Sequence, residues 1–266
     1  MKSIRNWLGT AVLCLLFLNQ SGYCDSQANL PEAKGNLPET KSFDLGDGVT
    51  MEFVLIRPGA FIMGGDIGDE KPAHRVRITK PFYMGKYEVT QEQWEKIMGV
   101  NPSRNKGAKN PVETVSWNDC TNFIAKLKEK LPGADFSLPT EAQWEYACRA
   151  GTTTLYSFGD SDASLGDYAW HDGNSESKTH EVGKKKPNLW GVYDMHGNVL
   201  EWCADFYGEY SSDNVVDPSG PSPFYNHVLR GGCISDRARG CESAKRLDAP
   251  TDKHFEVGFR LVVRVR

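Results

Sequence analysis

The sequence contains no C-x-x-C pair and no H-E-x-x-H, so it lacks the residues of a zinc ribbon or of a zincin-type centre. It also lacks a hydrophobic run able to cross a bilayer. The longest, Trp7–Leu18, has twelve residues where about 20 are needed. Positive charge is not in surplus: 31 Lys and Arg stand against 35 Asp and Glu, a net charge of −4 that argues against nucleic acid as a partner. The run Lys184-Lys185-Lys186 is short enough to read as a solvated loop. No internal repeat and no second core pattern interrupt the chain, so 266 residues are expected to form one domain.

Glycine and proline are plentiful, at 26 and 14 residues, which points to a loop-rich architecture. Lys2 and Arg5 precede the apolar run, and the small polar stretch Asn19-Gln20-Ser21-Gly22 follows it, the layout of a signal peptide over residues 1–24. The expected location is therefore periplasmic or extracellular, with no transmembrane helix once the signal is removed. Cys24 invites a second reading, as the acylated first residue of a lipoprotein. Tyr23 is large where a small residue is usual before such a cysteine, which favours plain cleavage near Cys24. Cleavage there removes two basic and no acidic residues, taking the net charge from −4 to −6. Residues 25–44, with Pro31, Lys34, Pro38 and Glu39, read as a flexible linker; order is expected from near Phe43, in a domain over 45–266.

Met51, Phe53 and Leu55 alternate with neighbours of the other face, Pro58-Gly59 turns the chain, and Phe61 and Met63 open a second strand. Val76 and Ile78 mark a third, after the acidic loop Gly64–Pro72. Thr90 with Gln93 forms a capping box that starts a short helix ending at Gly99. Ser116 opens another, on which Cys120, Phe123, Ile124, Leu127 and Leu131 share one face, so Cys120 is expected buried. Thr140 and Gln143 cap a third, through Arg149. From Thr152 to Asn188 no period persists, which describes a long ordered loop region. Val257, Phe259, Leu261 and Val263 alternate as a terminal strand that should pair with an early one. Trp94, Trp117, Trp144 and Trp202 read as core, and His171, His180, His196 and His227 as packing or surface residues.

The stretch Gly191–Tyr207 is the centre of the chain. Asp194 and Glu201 flank Gly197-Asn198, a turn that can aim carbonyls inward beside two carboxylates, the hard oxygen donors calcium takes. Solvated carboxylates on a loop remain the plain alternative. Five cysteines follow the signal, namely Cys120, Cys148, Cys203, Cys233 and Cys241, an odd number that allows at most two internal disulfides.

The segments KYEVTQEQW (86–94), NPVETVSWNDC (110–120), SLPTEAQWEYACRAGTTT (137–154), GVYDMHGNVLEW (191–202), LRGG (229–232) and GFRLV (258–262), in this order, resemble the sulfatase-modifying factor family, the formylglycine-generating-enzyme-like domain. The resemblance implies an α+β, irregular C-type-lectin-like fold. It implies calcium at Asp194 and Glu201 through side chains and at Gly197 and Val199 through carbonyls. It also implies oxidation of a sulfatase cysteine by copper(I) held between two thiolates, a soft-ligand site. Here Cys241 falls on the second copper position and Asp236 on the first, while Cys233 replaces a serine after Gly-Gly. Cys233 and Cys241, the candidate catalytic pair, could ligate copper in a shifted loop, enter disulfides such as Cys241 with Cys203 or Cys148, or include a free thiol. Arg230, Arg246 and Arg260 are expected to hold the C-terminal loops through carboxylates.

Two functions compete. One is an exported oxidase acting on an unfolded sulfatase or another cysteine-containing peptide. The other is a non-catalytic module that binds a protein, peptide or glycan. A diversified lectin-like receptor would carry asparagine-rich variable loops, and GCISDRARGCESAKR has none.

Overall fold

A computed structural model describes residues 37–222, 225–252 and 255–265. The expected signal peptide, Cys24 and most of the expected linker lie outside the described residues. Strand β1 (Thr40–Gly46) pairs antiparallel with β2 (Val49–Ile56), so residues 40–44 of the expected linker lie in a strand. The cause is local packing: Phe43 meets Phe53 and Phe136 edge-on, and the Tyr83 hydroxyl donates to the Pro38 carbonyl at 2.8 Å.

Further along come β3 (Gly59–Met63), β4 (His74–Ile78) and β5 (Phe82–Gly85). The three capping boxes then do what their spacing implies. They start α1 (Gln91–Met98), α2 (Trp117–Lys130) and α3 (Glu141–Arg149), with the Thr90, Ser116 and Thr140 hydroxyls each accepting the N3 backbone N–H. Strand β6 (Asp135–Ser137) lies between α2 and α3. In the long loop region only two short 3-10 or α turns form, the latter α4 (Leu165–Tyr168). The C-terminal third supplies β7 (Leu200–Phe206), β8 (Val215–Val216), β9 (Asn226–Arg230), β10 (Arg246–Pro250), β11 (Val257–Gly258) and β12 (Val262–Arg264).

These strands form three sheets, ordered β1-β2-β5-β12-β6, β10-β9-β7-β11 and β3-β4-β8. The first two strands after β1, expected as neighbours across a turn, therefore part at Pro58-Gly59 into different sheets. The expected terminal strand is also divided: β11 pairs parallel with β7, and β12 pairs antiparallel with β5 and β6. Gly258 marks the division, because a Cβ there would lie 2.4 Å from the Val112 carbonyl oxygen.

One core lies under the first sheet, where Trp94 stacks on Phe123 at 5.3 Å and both meet Phe259 edge-on. Cys120 is buried there, as its helical spacing implies. A second core joins α3 to β5, β7 and β9 around Trp144, Cys148 and Cys203. Trp94, Trp144 and Trp202 are buried and Trp117 is half-buried. No helix among the described residues is long and apolar enough to cross a membrane.

Candidate functional site

The Gly191–Tyr207 stretch enters β7 through a turn in which Asp194 and Asn198 take positive φ, 57° and 70°. Between them Gly197 passes so close to Trp170 that a Cβ would lie 2.2 Å from its carbonyl oxygen, so only glycine fits. Asn198 fastens the turn. Its amide donates to Glu88 Oε2 at 2.9 Å and to the His180 carbonyl at 3.1 Å, and its Oδ1 accepts the His180 N–H. Glu88 Oε1 accepts the Val199 N–H at 3.2 Å.

Glu88 was not anticipated as part of this site. It brings to three the buried carboxylates here, with Asp194 and Glu201. Glu201 takes the Arg260 guanidinium side-on, Nε to Oε2 at 2.7 Å and Nη2 to Oε1 at 2.5 Å, and its Oε2 also accepts Trp144 Nε1–H at 2.8 Å. Arg260 further donates to the Gly85 and Tyr193 carbonyls, so it does tie the C-terminal segment through a carboxylate. Asp194 Oδ2 accepts the Gly183 N–H at 2.7 Å, while Oδ1 is buried without a partner.

Three carboxylates against one guanidinium leave two negative charges if all are ionised. Burial answers part of this by pushing the Asp194 carboxyl up to about 6, and it lifts Glu88 well above the usual range, reinforced by Asp194 and Glu201. A divalent cation with hard-oxygen preference would cancel the same charge. Asp194 Oδ1 and the Gly197 and Val199 carbonyls are donors of that kind, so the residues fit calcium. Glu201 differs from the sequence expectation in sharing its oxygens with Arg260 and Trp144. Among the described residues no group of three His, Cys, Asp or Glu is placed to hold a metal, so a cation here would lean on main-chain carbonyls.

All five described cysteines are free and buried, which corrects the expected disulfides of Cys241 with Cys203 or Cys148. They fall in different packing clusters, although Cys241 Sγ lies 2.9 Å from where a Cβ on Gly232, the neighbour of Cys233, would stand. Cys148 and Cys203 sit in the second core, and Cys241 packs with Tyr156, Leu165 and Ala169. Cys233 Sγ lies 3.2 Å from Asp236 Oδ2 and 3.1 Å from Glu256 Oε2, so its single S–H can donate to either. Burial pushes the Cys148 thiol up to about 12 and those of Cys233 and Cys241 further, with Asp236 adding to both. Copper(I) needs two converging thiolates, whereas Cys233 is turned to the Asp236 and Glu256 carboxylates and Cys241 is packed in the apolar cluster. The residues present do not fit copper.

His196 is a packing residue, as expected. Its Nδ1–H donates to the Cys241 carbonyl at 2.9 Å and its Nε2 accepts from the Ser157 N–H and hydroxyl, at 3.1 and 2.8 Å. Burial holds it down at about 4, so the ring stays neutral. His227 stacks on Trp117 at 4.0 Å and His180 on Trp170 at 3.7 Å.

A buried ladder of alternating charge runs beside this site. Arg246 holds Glu141 through two contacts of 2.8 Å, Arg230 contacts both Glu141 and Glu145, and Arg149 Nε donates to Glu145 at 2.8 Å. Burial alone would raise the Glu145 carboxyl, but Arg230 and Arg149 hold it below its ordinary value. The neighbouring Asp205 has no such partner. Its Oδ2 accepts the Glu141 N–H at 2.9 Å, and burial, with Glu141 adding, pushes its carboxyl up to about 7 from 3.8. The fold thus keeps a proton that the unfolded chain releases near pH 4. Its stability from this group is full below that pH and is lost as pH rises through about 7. In urea unfolding from pH 4 to 8, Asp205→Asn should gain on the parent chain by a few kcal/mol, at about 1.4 kcal/mol for each tenfold change in proton affinity. A difference that stays constant across that range would show that Asp205 ionises as it does in water.

Residues 44–265 match the family model of the sulfatase-modifying factor enzyme 1-like domain. The chain is 32% identical to the chaperone protein LppX of Paenibacillus barcinonensis, over 70% of this chain and 80% of that protein. It is 28% identical to the formylglycine-generating enzyme of Streptomyces coelicolor, over 86% of this chain and 71% of that one. It spans about a third of the serine/threonine-protein kinase pkn1 of Chlamydia pneumoniae, where the match covers 33% of the protein. Among solved structures, the Treponema denticola variable protein 1 superposes with a TM-score of 0.81 at 31% identity, covering 86% of this chain and 100% of that chain. The α+β, loop-rich fold is of the formylglycine-generating-enzyme type.

Proposed function

Since the chain belongs to the sulfatase-modifying factor enzyme 1-like family, we propose that it serves as an exported, non-catalytic module of that family, holding a protein, peptide or glycan partner. The observation that carries this reading is the state of Cys233. Its thiol is turned to the Asp236 and Glu256 carboxylates, and Asp236 stands where the family resemblance puts the first copper cysteine. Cys241, at the second position, is fully buried in an apolar cluster. A relative named as a chaperone, matched over 80% of its length, favours a polypeptide among the candidate partners.

The test is turnover. Full chain loaded with copper(I) under oxygen should leave the thiol of a C-x-P-x-R peptide intact, with no aldehyde by mass spectrometry. Aldehyde that is lost in both Cys233→Ser and Cys241→Ser would place the protein among the oxidases instead.

Calcium belongs to the same reading as a structural ion. It would be held by Asp194 Oδ1 with the Gly197 and Val199 carbonyls and would offset the negative excess of Glu88, Asp194 and Glu201. Chelated protein titrated to millimolar calcium should melt several degrees higher, and Asp194→Ala should lose the gain. An unchanged melting curve in the parent chain would rule the ion out and leave protons on Asp194 and Glu88 as the neutralising charge.

A further inference from the structure

A cavity of about 230 Å³ opens beside the charged ladder, between β4, the start of α3 and the segment 208–221. It lies apart from the cysteines and from the Asp194 turn, and no residue of the calcium reading lines it. Its walls are apolar at Met63, Ala142 and Val215, and its polar side chains include Asp205, Glu141, Glu209, His74, Tyr210 and Arg246.

Most donors there are already used, with one Arg246 Nη2 N–H left over. Arg246 donates from Nε and Nη2 to Glu141 and from Nη1 to the Asp69 and Gly208 carbonyls. The Tyr210 hydroxyl donates to Glu141 Oε1 at 2.9 Å, and the Ser211 hydroxyl to Asp213 at 2.9 Å. His74 Nδ1 lies 3.0 Å from the Pro72 carbonyl and must carry its proton, so in the neutral ring Nε2 is an acceptor. Above about pH 7, where Asp205 is ionised and where binding is to be measured, what remains to meet a ligand is mainly acceptor capacity: Asp205, the second ring nitrogen of His74, and Glu209 at the mouth. Asp205 is buried and, unlike Glu141, has no guanidinium bonded to it. The chain closes over it at Gly220, which has φ +79° and where a Cβ would lie 2.8 Å from Asp205 Cβ and 3.2 Å from Oδ1.

Such a lining offers a carboxylate or phosphate one spare Arg246 N–H and sets the Asp205 and Glu209 carboxylates against it. It suits a small ion with several N–H groups on an apolar body, because the ion supplies the missing donors and the missing positive charge together. We propose that this cavity binds a primary alkylammonium ion, with the ammonium on Asp205 and the alkyl chain along Met63 and Val215. The volume, below the ~300 Å³ at which drug-sized pockets begin, limits the ligand to one short chain. A free amine and a lysine side chain present the same group, and either could be the source.

The probe is n-butylammonium, titrated into the full chain by calorimetry and by saturation-transfer NMR, with n-butanol and butyrate as controls of equal length. Butylammonium should bind while the controls bind at least tenfold more weakly. Asp205→Asn, which keeps shape and removes charge, should weaken binding at least tenfold. Val215→Trp, at the half-exposed rim, should block it by filling the space, and serves if Asp205→Asn fails to fold. Equal binding of butanol, or butylammonium binding unchanged in the folded variants, would overturn the assignment. Competition by an acetyl-lysine-amide peptide that displaces butylammonium would assign the site to a protein side chain; failure to compete would assign it to a free amine.

Discussion

Arg260→Met should destabilise the fold by about 3–5 kcal/mol, the usual consequence of stripping one partner from a buried ion pair. Arg260 is fully buried and, among the described residues, is the guanidinium bonded to Glu201, with Glu88 and Asp194 adding to the negative field around it. Methionine fills much of the volume but leaves Glu201 with one donor, Trp144 Nε1–H. Stability totals of about 5–15 kcal/mol are typical, so the variant should be largely unfolded at modest urea. Glu201→Gln added to Arg260→Met should recover part of the loss, because a neutral amide needs no counterion; the two changes are in contact and their effects should not add. A loss under about 1 kcal/mol in the single variant would show that Glu201 is already neutral or is held by a bound cation.

Trp144→Ala is the second large effect, at about 3–5 kcal/mol for the cavity, with the lost hydrogen bond to Glu201 on top. Trp144 is fully buried on α3, its ring edge 3.1 Å from where a Cβ on Gly231 would stand, with the Arg230 guanidinium 5.4 Å from the ring centre. It thus joins the helix, β9 and the carboxylate site in one contact. Trp144→Phe separates the two contributions, since it keeps most of the ring and drops only the N–H; it should cost about 1–3 kcal/mol. Urea unfolding of both variants decides. Equal losses would mean that the hydrogen bond, rather than the packing, dominates.

The helices were legible because a capping box is a local device: Thr90-Gln93, Ser116-Asp119 and Thr140-Gln143 act within three residues. Strand β5 was not, since Phe82–Gly85 is buried on both faces and has no alternation to read. The division of 257–264 was hidden for a different reason. Its alternation continues through Gly258, and only the approach of the Val112 carbonyl, far off in sequence, shows why the strand must break there. At the candidate site the motif gave Asp194, Gly197, Val199 and Glu201 but not Glu88, which reaches Asn198 from 110 residues away. Its one local signal was an acid between Tyr87 and Val89 in a stretch of buried residues. Of the alternatives for the cysteines the disulfides are not met, because pairing depends on where each thiol is carried by the fold, and the fold carries Cys233 to carboxylates and Cys241 to aromatic and aliphatic side chains.

The first sheet places β12, within the last few residues, between β5 and β6. Val262 faces Met84 on one side and Ser137 on the other, so β6 has no place in the sheet until β12 is laid beside β5. Strands made early must wait, unpaired along one edge, for a segment delivered more than a hundred residues later. Loop closure over such distances is slow, and open edges in the meantime invite association with other chains. Deleting Val262–Arg264 would therefore cut β6 off from β5 and the rest of the sheet.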